Sequence, residues 1–248
     1  MADTLAPHRV EPLLSGGFGK PYIYRESCDS TQRLLDSDLP AGALAVCNFQ
    51  RAGRGRLGRG WTAPAGTAIL CSILLRPPDG RRVSELSLLG GLSVAETIER
   101  TTGLTAAIKW PNDVLLGGRK VAGVLAEVAG ETVVLGIGLN VNQQPEELPA
   151  QAKLPPASLF ALDGVERDRA PLLAELVRQV ERNYRLWESA GLRTVHAGLA
   201  ARDFLKGRAI RVQDESGTAV AIAPDGRLEV ELGGRRELIE SGEVDLQP

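Results

Sequence analysis

The sequence predicts an α+β fold, a mixed sheet carrying helices, with a small β-barrel at its C-terminal end. Three observations predict it. Short apolar runs bounded by Gly or Pro recur before residue 145 and read as strands. Two longer segments repeat apolar residues at helical spacing. After about residue 204 the pattern changes to short alternating strands joined by Gly-containing turns. With 248 residues, 43% of them apolar, the chain can bury a substantial core and can hold one large and one small domain.

Residues 1–20 form a polar lead-in, which Ser15-Gly16-Gly17 and Gly19 are expected to keep free of regular elements. It is too short for a DNA-reading domain. Residues 21–203 form the main domain. Tyr22-Ile23-Tyr24 reads as a strand, and Asp29 or Ser30 offers an N-cap for a short helix carrying Leu34 and Leu35. Ala43 to Phe49 and Ala68 to Leu75 read as strands. Leu88, Leu92, Ala95 and Ile98 mark a helix that Ser84 is expected to cap and Gly103 to end. Ala106 to Trp110, Val114 to Leu116, Val121 to Val128 and Thr132 to Asn142 read as successive strands with tight turns such as Gly117-Gly118.

A Pro-rich connection, Pro145 to Pro156, leads to a second helix, Ala170 to Ala190, with Leu172, Leu176, Val180, Tyr184 and Trp187 on one face. Residues 204–248 hold the strands Ala209 to Val212, Ala219 to Ile222, Leu228 to Glu231 and Glu237 to Ile239, with turns at Asp225-Gly226 and Gly233-Gly234. Four or five such strands suggest a partly closed barrel. So small a module buries little surface alone and is expected to dock on the main domain.

Composition narrows the function. A net charge of −2 supplies no global field for a nucleic acid, so any anion site must be local. Cys28, Cys47 and Cys71 lack zinc or dithiol spacing and read as buried, reduced thiols. With no charged-then-apolar leader and no apolar run of spanning length, a cytoplasmic protein without membrane contact is expected. The two histidines, His8 and His196, sit in no motif, which leaves little for a Ser-His-Asp or Cys-His mechanism.

The segment Gln50-Arg51-Ala52-Gly53-Arg54-Gly55-Arg56-Leu57-Gly58-Arg59-Gly60-Trp61 sets four arginines among four glycines with no acid. Glycine lets a backbone turn and approach a ligand, while guanidinium forks fit phosphate and carboxylate oxygens. An anion-clamping loop is one reading and a solvated basic loop the other. Gly53-x-Gly55-x-x-Gly58 also fits the dinucleotide fingerprint, but the turn-like Trp61-Thr62-Ala63-Pro64 follows where a helix should begin, so the fit is accidental.

Lys109-Trp110-Pro111-Asn112-Asp113 bends the chain between two strands and presents an amide and a carboxylate together, either for a ribose hydroxyl or magnesium-bound water or as a simple turn. Lys120 begins an otherwise apolar strand, where its ammonium could meet a phosphate or simply reach solvent. Gly136-Ile137-Gly138-Leu139-Asn140-Val141-Asn142 alternates glycine with apolar residues, so that a flat ligand or another backbone could lie close, with Asn140 placed to read an adenine edge.

Taken in order, Ser30-Thr31, Gln50, the Arg-Gly loop to Trp61, Lys109 to Asp113, Lys120-x-Ala122-Gly123 and Gly138-Leu139-Asn140-Val141 resemble the biotin protein ligases, in a form lacking the N-terminal DNA-binding domain. The resemblance implies a catalytic domain of the fold shared with lipoate ligases and class II aminoacyl-tRNA synthetases, followed by an SH3-like domain. It implies ATP and biotin as substrates with Mg2+, biotinyl-5′-AMP as intermediate and a biotin carboxyl carrier domain as acceptor. It also implies no DNA partner and a possible homodimer. On the same basis Ser30, Thr31, Gln32, Gln50, Arg54, Gly55, Arg56, Lys120 and Gly123 are expected to hold biotin, and Arg56, Trp61, Asn112, Asp113, Lys120 and Asn140 the nucleotide. Arg56, Lys120 and Asp113 are the expected catalytic residues, with magnesium held mainly by ATP and near Asn112 and Asp113. Gln32 departs from the asparagine of many relatives. A lipoate or octanoate ligase and a nucleic-acid-binding module using the Arg-Gly loop are the alternatives.

Overall fold

The computed structural model describes residues 4–150 and 152–247; residues 1–3, Gln151 and Pro248, parts of the lead-in, the Pro-rich connection and the last segment, lie outside the described residues. The lead-in departs from expectation. It holds a short helix α1 (Pro7–Val10), started by Pro7 at its first position, and Leu5, Val10 and Phe18 are buried against the core.

Strand β1 (Tyr22–Cys28) runs parallel to β2 (Leu44–Gln50). Between them the expected short helix is one 3-10 turn, Thr31–Leu34, whose N-cap position is Ser30 but without a side-chain capping bond. The Arg-Gly segment forms two two-residue strands, β3 (Gly53–Arg54) and β4 (Gly60–Trp61), paired antiparallel. Between the two strands lies a single 3-10 turn, Arg56–Gly58, and no α-helix follows β3, in keeping with an accidental glycine fingerprint. Next come β5 (Ala68–Leu75), α2 (Ser84–Thr102), β6 (Ala106–Lys109), β7 (Asp113–Leu116), β8 (Arg119–Ala129) and β9 (Thr132–Asn140). Ser84 does not cap α2: Val83 holds the cap position and bonds no backbone with its side chain. Trp110 lies past the end of β6.

The main sheet has the order β1-β2-β5-β9-β8-β7-β6, and every pair but the first is antiparallel. Its strands alternate between two faces. Along β9, Val133, Leu135, Ile137 and Leu139 enter the main core, beneath α2 and α4, whereas Gly136, Gly138 and Asn140 face the other way. Helix α4 (Arg169–Ala190) starts one residue earlier than expected, capped by the Asp168 side chain, which accepts from the Ala170 N–H. Two helices the sequence reading did not anticipate, α3 (Leu159–Asp163) and α5 (His196–Ala200), are each five residues long. They are too short for a periodic signal.

The C-terminal module is a five-stranded antiparallel sheet made of β10 (Ala209–Val212), β11 (Glu215–Ile222), β12 (Leu228–Leu232), β13 (Arg235–Ile239) and β14 (Val244–Leu246), in the order β13-β12-β11-β10-β14. Among the described residues its two outer strands are not hydrogen-bonded to one another, which leaves the barrel partly open. It is docked on the main domain. Trp110 Nε1 donates to Gly226 O at 2.9 Å, Ile222 N donates to Asp203 at 2.8 Å, and His196 joins Ile222 O. The three cysteines are buried and free, and no helix is long and apolar enough to cross a membrane among the described residues.

Glu85 ties these layers together. Its carboxylate accepts from Trp187 Nε1 at 2.6 Å and from Arg82 at 3.2 Å, and Arg82 in turn reaches Asp225 and Glu240 of the C-terminal module. Glu85→Ala strands a buried indole N–H and should lower stability by about 1–3 kcal/mol. Chemical denaturation measures this; Glu85→Gln, which keeps an acceptor, should lose less, and equal losses would refute the account.

Candidate active site

The uncovered face of the main sheet forms the floor of a cavity of about 820 Å³. All thirteen residues singled out in the sequence line it: Ser30, Thr31, Gln32, Gln50, Arg54, Gly55, Arg56, Trp61, Asn112, Asp113, Lys120, Gly123 and Asn140. The cavity can be laid out along β9, where Gly136, Gly138 and Asn140 face it about 7 Å apart because alternate residues share a face.

At the Gly136 end polar groups converge. Gln50 Oε1 accepts from Thr31 N at 2.8 Å and Thr31 Oγ1 at 3.2 Å, and Thr31 Oγ1 meets Ser72 Oγ at 2.7 Å. Gln32 lies over Gly136, where a Cβ would stand 2.8 Å from its Nε2. That nitrogen donates to Leu125 O at 3.3 Å, while Gln32 Oε1 is buried without a partner.

Trp61 occupies the middle. A Cβ on Gly138 would lie 2.4 Å from the indole, and one on its cross-strand neighbour Gly123 would lie 2.9 Å from it. Two glycines facing each other across β8 and β9 thus make the slot that seats the ring. Trp61 Nε1 is buried without a partner, and Lys120 Nζ stands 5.6 Å from the ring centroid.

Lys120 and Gly123 face the cavity together although they are three residues apart, which a regular strand would forbid. The irregularity in the β7–β8 pairing at Val114/Leu115 changes the parity, sending Val121, Ala122 and Val124 into the core while Lys120 stays in the pocket. Lys120 Nζ then pairs with Asp113 at 2.7 Å. On the other side of the same turn, Asn112 Nδ2 donates to Val124 O at 2.9 Å, which aims its Oδ1 at Arg56 Nη1, 3.2 Å away. Arg56 and Lys120 therefore converge on one Asn-Asp step. Burial pushes the Arg56 guanidinium below its usual range, against the pull of Asp113.

The loop arginines divide by partner. Arg51 pairs with Asp29 at 2.9 Å, Arg54 with Glu127 at 2.9 Å and Arg59 with Glu243. Among the described residues only Arg56 of the four has no carboxylate at ion-pair distance, so its charge is available inside the pocket. Arg54 lines the cavity but spends its charge outside.

At the far end, the Asn140 amide is fixed by elimination. The Ala157 carbonyl can only accept, so Asn140 Nδ2 faces it at 2.9 Å, which turns Oδ1 toward Gln143 Nε2 at 2.8 Å. Asn140 keeps one N–H and one acceptor site for a ligand. Three contributors were not given roles by the sequence reading: Ser72, Lys109 and the 242–244 segment of the C-terminal module, all of which line the cavity. Ser72 sits in a fully apolar run, and the last segment is far away in sequence. The place of Lys109 at the head of the Lys109-Trp110-Pro111-Asn112-Asp113 motif was the one available signal, and the structure sets it opposite Asp113. Among the described residues no group of three His, Cys, Asp or Glu is arranged to hold a metal.

Gly138→Ala should push the indole off the sheet and red-shift tryptophan emission, an effect absent in Gly138→Ala/Trp61→Phe relative to Trp61→Phe alone. An unshifted spectrum would show that the ring does not rest on this glycine.

Residues 24–143 match the biotin/lipoate A/B protein ligase family and residues 207–247 the biotin protein ligase C terminal domain. The chain is 38% identical over 213 residues to a biotin–[acetyl-CoA-carboxylase] ligase of Mycobacterium tuberculosis, covering 82% of this chain and 78% of the relative. It is 34% identical over 222 residues to the bifunctional ligase/repressor BirA of Bacillus subtilis, covering 79% of this chain and 68% of that one. A biotin protein ligase from Aquifex aeolicus, solved in complex with biotin and ATP, superposes with a TM-score of 0.82 at 30% identity, covering 91% of this chain and 97% of the other.

Proposed function

Because the chain belongs to the biotin protein ligase family, we propose that its pocket joins biotin to ATP as biotinyl-5′-AMP and then passes the biotinyl group to a lysine of a carboxylase carrier domain. The observation that carries this reading is the convergence of Arg56 and Lys120 on the Asn112-Asp113 turn in mid-pocket. In this reading residues 21–203 carry the chemistry and 204–248 close one side of it.

The biotin head sits among Ser30, Thr31, Gln32 and Gln50, where the unpartnered Gln32 Oε1 accepts a ureido N–H. Its chain passes Gly55, Gly123 and Trp61 toward the two cations, and the remaining donor and acceptor of Asn140 take the adenine edge. One carboxylate oxygen attacks the α-phosphorus in line, and pyrophosphate leaves. Arg56 and Lys120 neutralise charge that grows between the two anions, and no proton is transferred in this step. The carrier lysine, as a free amine, next attacks the acyl carbon; AMP departs and the amine loses a proton to water. Magnesium bound with the ATP phosphates would offset their charge, and Asp113 and Asn112 would hold one of its waters. Trp61 and the closed loop keep water from the mixed anhydride.

Lys120→Ala should slow single-turnover adenylate formation by an amount equal to about 2.7–4 kcal/mol of barrier, as for one lost oxyanion donor. Arg54→Ala, whose charge is matched outside the pocket, should lose far less. An unchanged rate in Lys120→Ala would retire its role. Mass spectrometry after incubation with MgATP and either biotin or lipoate tests the substrate, since adenylate from lipoate alone would reverse the assignment. The nucleic-acid alternative fares poorly because three of the loop arginines are matched to carboxylates and leave no basic face.

A further inference from the structure

We propose that Lys109 is a further catalytic residue, the cation that takes up the charge of the departing pyrophosphate. The proposal rests on the ligase reading of the pocket.

Lys109 ends β6 directly opposite Asp113 on β7, so the two side chains share the cavity face. Its ammonium donates to one neutral acceptor, Val244 O, at 2.7 Å. Among the described residues no carboxylate lies within ion-pair distance of it. Burial, and to a lesser extent the Lys120 charge, pushes its pKa down, against the pull of the more distant Asp113, Asp245 and Glu243. A half-buried ammonium with one carbonyl partner has given up much of its hydration for little return, an arrangement that an incoming anion completes. Tethering alone would be served as well by a neutral donor.

The order of the strands says which anion. Displacement in line places the attacking and leaving groups on opposite sides of phosphorus. Gln50, Ser72 and Gly136, at the head of the acid, lie on β2, β5 and β9; Lys120 lies on β8, Asp113 on β7 and Lys109 on β6. Crossing the sheet in that order passes from the head of the acid, through Lys120 and Asp113, over which Arg56 reaches from the loop to Asn112, to Lys109. As the carboxylate oxygen bonds to the α-phosphorus, the bond from phosphorus to the β-bridging oxygen breaks and its electron pair leaves on pyrophosphate. The new charge develops on the Lys109 side. No proton is required, and an ammonium suffices.

The test compares Lys109→Met, which keeps bulk without charge, with Lys109→Gln, which can still donate to Val244, in the full chain. Two rates are measured for each: biotinyl-5′-AMP formation from biotin and MgATP, and transfer from supplied biotinyl-5′-AMP to a carrier domain. Both variants should slow adenylation by about 100-fold relative to transfer, and added pyrophosphate should inhibit them more weakly than the wild type. Recovery of adenylation in Lys109→Gln would make Lys109 a tether, and equal loss of both half-reactions in both variants would make it structural; either overturns the proposal. Wild-type protein that makes no biotinyl-5′-AMP would instead retire the reading of the pocket itself.

Discussion

A loop carrying four arginines can fold over a pocket only if its charges are answered, and the way they are answered orders the site. Asp29 from the end of β1, Glu127 on β8 and Glu243 in the C-terminal module each take one guanidinium. The fourth, Arg56, is held by an amide and a backbone carbonyl, neither of which cancels its charge. Three arginines thus place the loop and leave one cation uncompensated next to Asp113 and Lys120. Without the outer pairs, like charges on so short a segment would drive it into water.

The sheet supplies the complementary constraint. Its floor is built of glycine where side chains must lie flat on it: Gly136 takes Gln32, and Gly138 and Gly123 take Trp61, where any Cβ would collide with them. The same strands are fully apolar on their other face, under α2 and α4, so the floor cannot yield. A rigid floor and a pinned loop together fix Trp61 between the acid end and the nucleotide end. Preorganisation of this kind is what allows fixed charges to act on a transition state without first reorganising.

Much of this was legible in the sequence where the signal is local. The long helices announced themselves through Leu88, Leu92, Ala95 and Ile98 and through Leu172, Leu176, Val180 and Tyr184, and the ligand-facing residues stood in short runs with unusual composition. What escaped was non-local or depended on one residue of register. Ser84 looks like a cap but begins the helix itself; Leu5, Val10 and Phe18 are buried by α4 and the sheet, which no local pattern in the lead-in reveals. The register shift in β8 that turns Lys120 inward has no composition of its own. The use of Gly242, Glu243 and Val244 in the pocket depends on docking across more than a hundred residues of chain, and Ser72 hides in a run that reads as plain core.

The outer pairs of the loop are also poorly shielded from solvent: the side chains of Arg51, Arg54 and Arg59 remain 58%, 50% and 53% exposed. Contacts of that kind hold by about 0–1 kcal/mol each and weaken as counterions accumulate around them. These outer pairs are consequently the salt-sensitive part of the fastening, while Arg56, the β3–β4 pairing and the seated Trp61 hold the loop where counterions reach least.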